Sequence, residues 1–178
     1  MATEHPLERA TVRSAAEALK VGVYTPTVAM TGGLFLGLGI GGFVDGIFLR
    51  QIAHWHNIGS AILPPVTLEA LSQNVRWDGF FYLLALALMV IGAVSLWREG
   101  KDGTGPPLLR VLIGQMILGW GAFNVVEGIA DHILLELHHI RDLPAHVPLY
   151  DWVFLGAGCL FVATGWLMAR TTEADFRY

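Results

Sequence analysis

The sequence predicts an all-α integral membrane protein: a four-helix bundle built from a tandem pair of helical hairpins, both termini cytoplasmic. Composition is the first observation behind this. Of 178 residues, 54% are hydrophobic and only 15% charged, which is a membrane composition. Segmentation is the second. Four apolar runs each approach the ~20 residues needed to cross a bilayer core. The third is a repeat. Asp45-Gly46-Ile47 is followed by His56, and Glu127-Gly128-Ile129 by His138, with eleven residues from acid to histidine in both.

The whole chain, 1–178, reads as a single transmembrane domain. Residues 1–24 form a cytoplasmic tail, in which 8–19 have the pattern of a short helix lying on the membrane surface. No apolar segment opens the chain, so a cleaved signal peptide is not expected. Helix one is expected over 26–57. Its glycines Gly33, Gly37 and Gly41, with Gly42 and Gly46 beside them, make a small-residue face that lets another backbone approach closely. That face serves packing, a cofactor or a second subunit. Helix two is expected over 77–97, helix three over 108–140 and helix four over 150–170. Helices two and four lack the polar stripe that a soluble bundle requires. Trp77-Asp78 and Tyr150-Asp151 open the two return helices, where an Asp suits an N-cap and the positive end of the dipole. Gly103-Thr104-Gly105-Pro106-Pro107 breaks the chain between hairpins.

Orientation follows from Lys and Arg. Arg9, Arg13, Lys20, Arg98, Lys101, Arg110, Arg170 and Arg177 fall on one side. Arg50, Arg76 and Arg141 fall on the other. The positive-inside rule then puts the termini in the cytoplasm and the histidine-bearing ends toward the periplasm or exterior. Cys159 stands alone, which excludes an intrachain disulfide or thiolate site. A net charge of −4 gives no nucleic-acid signal. No phosphate loop, dinucleotide fingerprint or nucleophile motif is present.

Charged groups inside a membrane are costly and default to function. With both outward helices unbroken, acid and histidine lie about 16 Å apart, which separates two layers. The outer layer is His54, His56, His138 and His139, with Asp78 and Asp151. Imidazoles and carboxylates suit a metal ion, copper before zinc or iron. His56 and His138 are the expected principal ligands. The inner layer is Asp45, Glu127, Asp131 and His132. It would orient ligands, hold a deeper metal or move protons. Gln115 and Asn124 stand near it on helix three. By helical position Arg50 matches His132, Asn57 matches His139, and His54 matches Glu136.

Gly42-Phe43-Val44-Asp45-Gly46-Ile47, Gln51 and Trp55-His56 carry a resemblance. So do Phe123-Asn124-Val125-Val126-Glu127-Gly128, Asp131-His132 and His138-His139-Ile140-Arg141. From about Gly33 to Ala169 the chain resembles an uncharacterised bacterial family of small four-helix membrane proteins, a domain of unknown function. The resemblance implies the bacterial cytoplasmic membrane and an association with respiratory oxidase assembly and copper delivery. It also implies histidines where this chain has Arg50 and Phe81.

The expected function is therefore an outward-facing His/carboxylate metal site, for copper handling or a redox step linked to oxidase assembly. Expected partners are membrane lipid, an oxidase or its assembly factors, and a second copy through helix one. The alternatives are a haem held between parallel helices and a cofactor-free proton or ion pathway through the carboxylates.

Overall fold

The computed structural model describes residues 26–101 and 109–170, with side chains from residue 32 onward. The surface helix expected at 8–19, the break at 103–107 and the C-terminal tail lie outside the described residues. Among the described residues four helices appear in chain order. Helix α1 is Pro26–Asp45 and passes directly into a π-helical segment, Gly46–Ile52. Helix α2 is Leu68–Lys101, and α3 is Leu109–Glu127. A second π-helical segment, Gly128–Leu134, follows α3, and α4 is Pro148–Ala169. All four are long and apolar enough to cross a membrane.

Helix α1 packs against α2 and α3, and α4 packs against α3. Small residues set these distances. A Cβ on Gly37 would run into the Met116 carbonyl of α3, and one on Gly119 into the Leu34 carbonyl of α1. A Cβ on Gly92 of α2 would lie 2.7 Å from the Gly32 carbonyl. The glycine face of α1 is thus closed by α2 and α3 of the same chain. Backbone-to-backbone approach of this kind is how helices associate in lipid, where burial of apolar groups provides no drive.

The distribution of side chains is the reverse of a soluble bundle. Among the described residues only five hydrophobic side chains are buried, and three of those are alanines. Twelve polar or charged side chains are buried. Phe80, Leu83, Leu84, Val90, Leu160 and Leu167 are exposed along α2 and α4. An apolar exterior around a polar interior suits a hydrocarbon solvent and not water.

Helix boundaries differ from expectation at the end that carries the histidines. Helix one stops at Ile52 instead of 57, and helix three at Leu134 instead of 140. In both, the ladder widens before it ends. Ala53 N–H donates to Phe48 O and Trp55 N–H to Leu49 O, each at 2.9 Å. Leu135 to Ala130 and Leu137 to Asp131 repeat those bonds at the same length. The chain then reverses at His54 and Glu136, both at positive φ (52° and 48°). Helix α2 begins at Leu68, so Asp78 lies well inside it and caps nothing. Asp151 does fall in the first turn of α4, but makes no capping bond there.

Candidate metal centre

The two reversals change the geometry of the site. Instead of climbing about 16 Å away from its acid, each histidine folds back over it. His56 Nε2 comes to 3.8 Å from Asp45 Oδ2, and His138 Nε2 to 3.4 Å from Glu127 Oε1. The two layers expected from an unbroken helix are one layer. The His56 and His138 rings stack with centroids 4.6 Å apart, which leaves no gap between them for a porphyrin.

Arg50 sits among these groups, 1% exposed. Its Nη2 lies 2.7 Å from Glu127 Oε1 and 3.1 Å from Asp45 Oδ2, and its Nη1 lies 3.6 Å from Asp78 Oδ1. Its Nε–H donates to His56 Nε2 at 3.2 Å. Its Cζ stands 4.0 Å from the centre of the Phe81 ring. The two positions where the resemblance implies histidine are therefore in contact. Asp78, the expected cap, instead accepts from Asn57 Nδ2 at 2.6 Å and from Ile58 N–H at 3.0 Å.

The loops after the two π segments cross over one another. His56 Nδ1–H donates to Ile140 O at 2.9 Å, and His138 Nδ1–H to Ile58 O at 3.2 Å. A carbonyl can only accept, so each bond fixes the proton on Nδ1 and turns Nε2 inward. For His56 that lone pair is taken by Arg50. For His138 it has no hydrogen-bond partner. His132 has none on either ring nitrogen, although Nδ1 lies 3.3 Å from Asp151 Oδ1. Ligand atoms of Glu127, His132 and His138 all lie within 4.8 Å of one another, and all three side chains are buried.

In this donor set Glu127 is paired with Arg50, whereas His132 and the Nε2 of His138 are not paired. The His138 lone pair faces the Glu127 carboxylate at 3.4 Å, with no group to share between them. With every carboxyl ionised, Asp45, Asp78 and Glu127 carry three negative charges against the one of Arg50. Uncompensated buried charge is expensive, and a divalent cation would balance it. His138 is oriented through the ring nitrogen that faces away from the centre. His138 is held by a carbonyl, and His132 stands beside a carboxylate. Metal-bound histidines are commonly held as His138 is.

A second group lies outward of the first. His139, His146 and Asp151 bring ligand atoms within 4.8 Å. His146 and Asp151 are 2.9 Å apart, His139 and Asp142 are 2.9 Å apart, and the His139 and His146 rings stack at 3.8 Å. His139, His146 and Asp151 line a cleft of about 230 Å³ with Glu136, Pro148 and Trp152. His132 lines the same cleft, so it faces both the outside and the buried centre. Asp151 also accepts from Ile140 N–H at 2.8 Å.

His56, His132, His138, Asp45, Asp78 and Glu127 are thus brought together, with Asp151 at their edge and His139 in the cleft. His54 is exposed at the chain reversal and joins neither group. Asp131 is half-buried and joins neither. Gln115 and Asn124 are buried along α3 with side-chain atoms left without hydrogen-bond partners. Sequence reasoning missed His146 and Asp142. The only signal for His146 was its place two residues before the proline that starts α4.

The fold and this interior define a helical membrane protein with a buried His/carboxylate centre. The family model described as "predicted membrane protein (DUF2243)" matches residues 32–172, and the chain belongs to that family. No curated protein and no solved structure gives a significant match.

Proposed function

We propose that the protein is a metal-handling membrane protein in which Glu127, His132 and His138 hold one divalent transition-metal ion. The observation that carries this is the convergence of three buried side chains whose ring nitrogens, His138 Nε2 and both of His132, lack a hydrogen-bond partner. Buried polar atoms are nearly always partnered. Two such imidazoles beside a carboxylate make a nitrogen-and-oxygen pocket.

Copper is the favoured ion. Two imidazoles and a carboxylate suit Cu(II) or Zn(II), and Cu(II) binds tightest in the divalent series. The uneven distribution of Lys and Arg supports cytoplasmic termini and an outward-facing site, within reach of extracellular copper. His139, His146 and Asp151 make the entry, and His132 passes the ion inward. The resemblance supports a bacterial cytoplasmic membrane, and copper delivery to a respiratory oxidase or its assembly factors as the use of the site.

The test is metal analysis with an absorption spectrum on protein purified in mild detergent and loaded with Cu(II) or Zn(II). About one ion per chain is expected. It is lost in His132→Ala and His138→Ala and kept in His54→Ala. A Soret band would move the assignment to haem. Absence of both metal and chromophore would leave the carboxylates as a proton pathway.

A further inference from the structure

The buried centre has two halves that correspond residue for residue. Asp45, Arg50 and His56 each have a counterpart 82 positions on: Glu127, His132 and His138. The same interval relates the hydrogen bonds. His56 to Ile140 O answers His138 to Ile58 O. Leu143 N–H to Trp55 O at 2.9 Å answers Ala61 N–H to Leu137 O at 3.1 Å. The return helices keep the correspondence. Asp78 accepts from Ile58 N–H and Asp151 from Ile140 N–H. Arg50 lies 3.6 Å from Asp78 Oδ1, and His132 lies 3.3 Å from Asp151 Oδ1. An aromatic ring flanks each, Phe81 for Arg50 and Phe154 for His132.

One pair differs in kind. Where the second half presents a metal ligand, the first presents a guanidinium. We infer that the first half is a second metal-binding half whose cation position is filled by Arg50. On this reading the protein binds one ion, and its first half takes another only when a ligand stands in place of Arg50. This rests on the proposed metal reading of Glu127, His132 and His138.

The chemistry is consistent across the halves. Arg50 reaches the carboxylates that a metal would reach, Asp45, Asp78 and Glu127. It also takes up the Nε2 lone pair of His56, the atom equivalent to the open one on His138. A guanidinium is always charged and never a ligand donor. It places a fixed positive charge in the first half and keeps that half from exchanging ions. The second half has a neutral imidazole in the equivalent place and is left to bind an ion there.

Replacing Arg50 by histidine supplies the missing donor. The test is copper content per chain by mass spectrometry after loading with Cu(II) and gel filtration in detergent. Wild type is expected to hold one ion and Arg50→His two, the additional ion being lost on adding His56→Ala. Arg50→Gln removes the charge without adding a donor and is expected to gain none. An Arg50→His count no higher than wild type overturns the inference. A wild-type count of zero instead overturns the metal reading of the second half. The increment between the two proteins still judges the first.

The exchange Arg50→His with His132→Arg guards against misfolding, because it keeps composition and formal charge. It is expected to bind one ion, now sensitive to His56→Ala and no longer to His138→Ala. A folded exchange variant that binds none, or that keeps its dependence on His138, overturns the inference.

Discussion

Arg50 places one guanidinium within 3.6 Å of three carboxylates that have almost no access to water. Breaking a buried ion pair from one side costs about 3–5 kcal/mol, because the remaining charge has no partner. Arg50→Ala is expected to lose stability on that scale, read as a lower melting temperature in detergent. Bound metal should restore part of the loss. His138 gives a pH dependence. It lies in the loop beyond the membrane helices, and burial, with His56 and Arg50 nearby, holds its pKa well below the usual imidazole value. The unfolded chain takes up this proton near pH ~6.5, whereas the folded one does not until far lower. Stability from His138 is therefore full above pH ~6.5 and falls as the pH drops below it, by about 1.4 kcal/mol per pH unit. Melting between pH 8 and 5 should show this slope, and His138→Gln should flatten it. The chemistry-bearing residue types were legible at this scale, because acids and histidines inside apolar runs stand out by composition alone. The choice of His132 over His56 as a ligand was not. It depends on which lone pair Arg50 occupies, a three-dimensional fact.

The π segments decide where the histidines go. Each begins directly after the acid and runs seven residues, Gly46–Ile52 and Gly128–Leu134. Such wide turns recur at functional sites. Here they end the helix early enough for the loop to return over the acid. Removing the exposed Phe48 should rewind the first segment toward regular α geometry and shift the His56 loop. The expected outcome is loss of the ordered centre and of bound metal with helical content kept, checked by metal analysis and circular dichroism. The sequence marks neither turn. No glycine or proline stands where the chain reverses. His54 and Glu136 adopt positive φ as non-glycine residues, which is uncommon. An unbroken helix to 57 or 140 was therefore the natural expectation, and the two-layer site followed from it. The glycine spacing of α1 was legible, and its use is now specific. Gly37→Leu must push against the Met116 carbonyl. It should separate α1 from α3 and lower the melting temperature more than Gly79→Leu, at a position where an added Cβ meets nothing.

At the scale of the molecule, the histidines with Asp45, Asp78 and Glu127 are collected at one end of the bundle, and exposed apolar groups line α2 and α4. The spans were legible because hydropathy measures what the bilayer selects. Their depth was less so. Helix α2 has 34 residues, about 51 Å at 1.5 Å per residue, well beyond a ~30 Å core. Helix α2 is therefore longer than the hydrocarbon core it crosses. Orientation can be checked with a single accessible thiol. In a Cys159→Ala background, His54→Cys is expected to react with a membrane-impermeant maleimide added to intact cells. Protection there, with labelling only after lysis, would reverse the topology.

The two crossed loops bear on how the protein is made. Synthesis delivers the N-terminal part first, so the first hairpin meets the membrane before Glu127 or His138 exists. It brings its own counter-ion, since Arg50 already accompanies Asp45 and Asp78. The second hairpin brings Glu127, Asp151 and neutral donors, with no fixed cation among them. Its histidine also finds its carbonyl, Ile58 O, only on the earlier half. The arginine thus gives the first hairpin a counter-ion from the start, while each histidine waits for the other half, His56 for Ile140 O and His138 for Ile58 O.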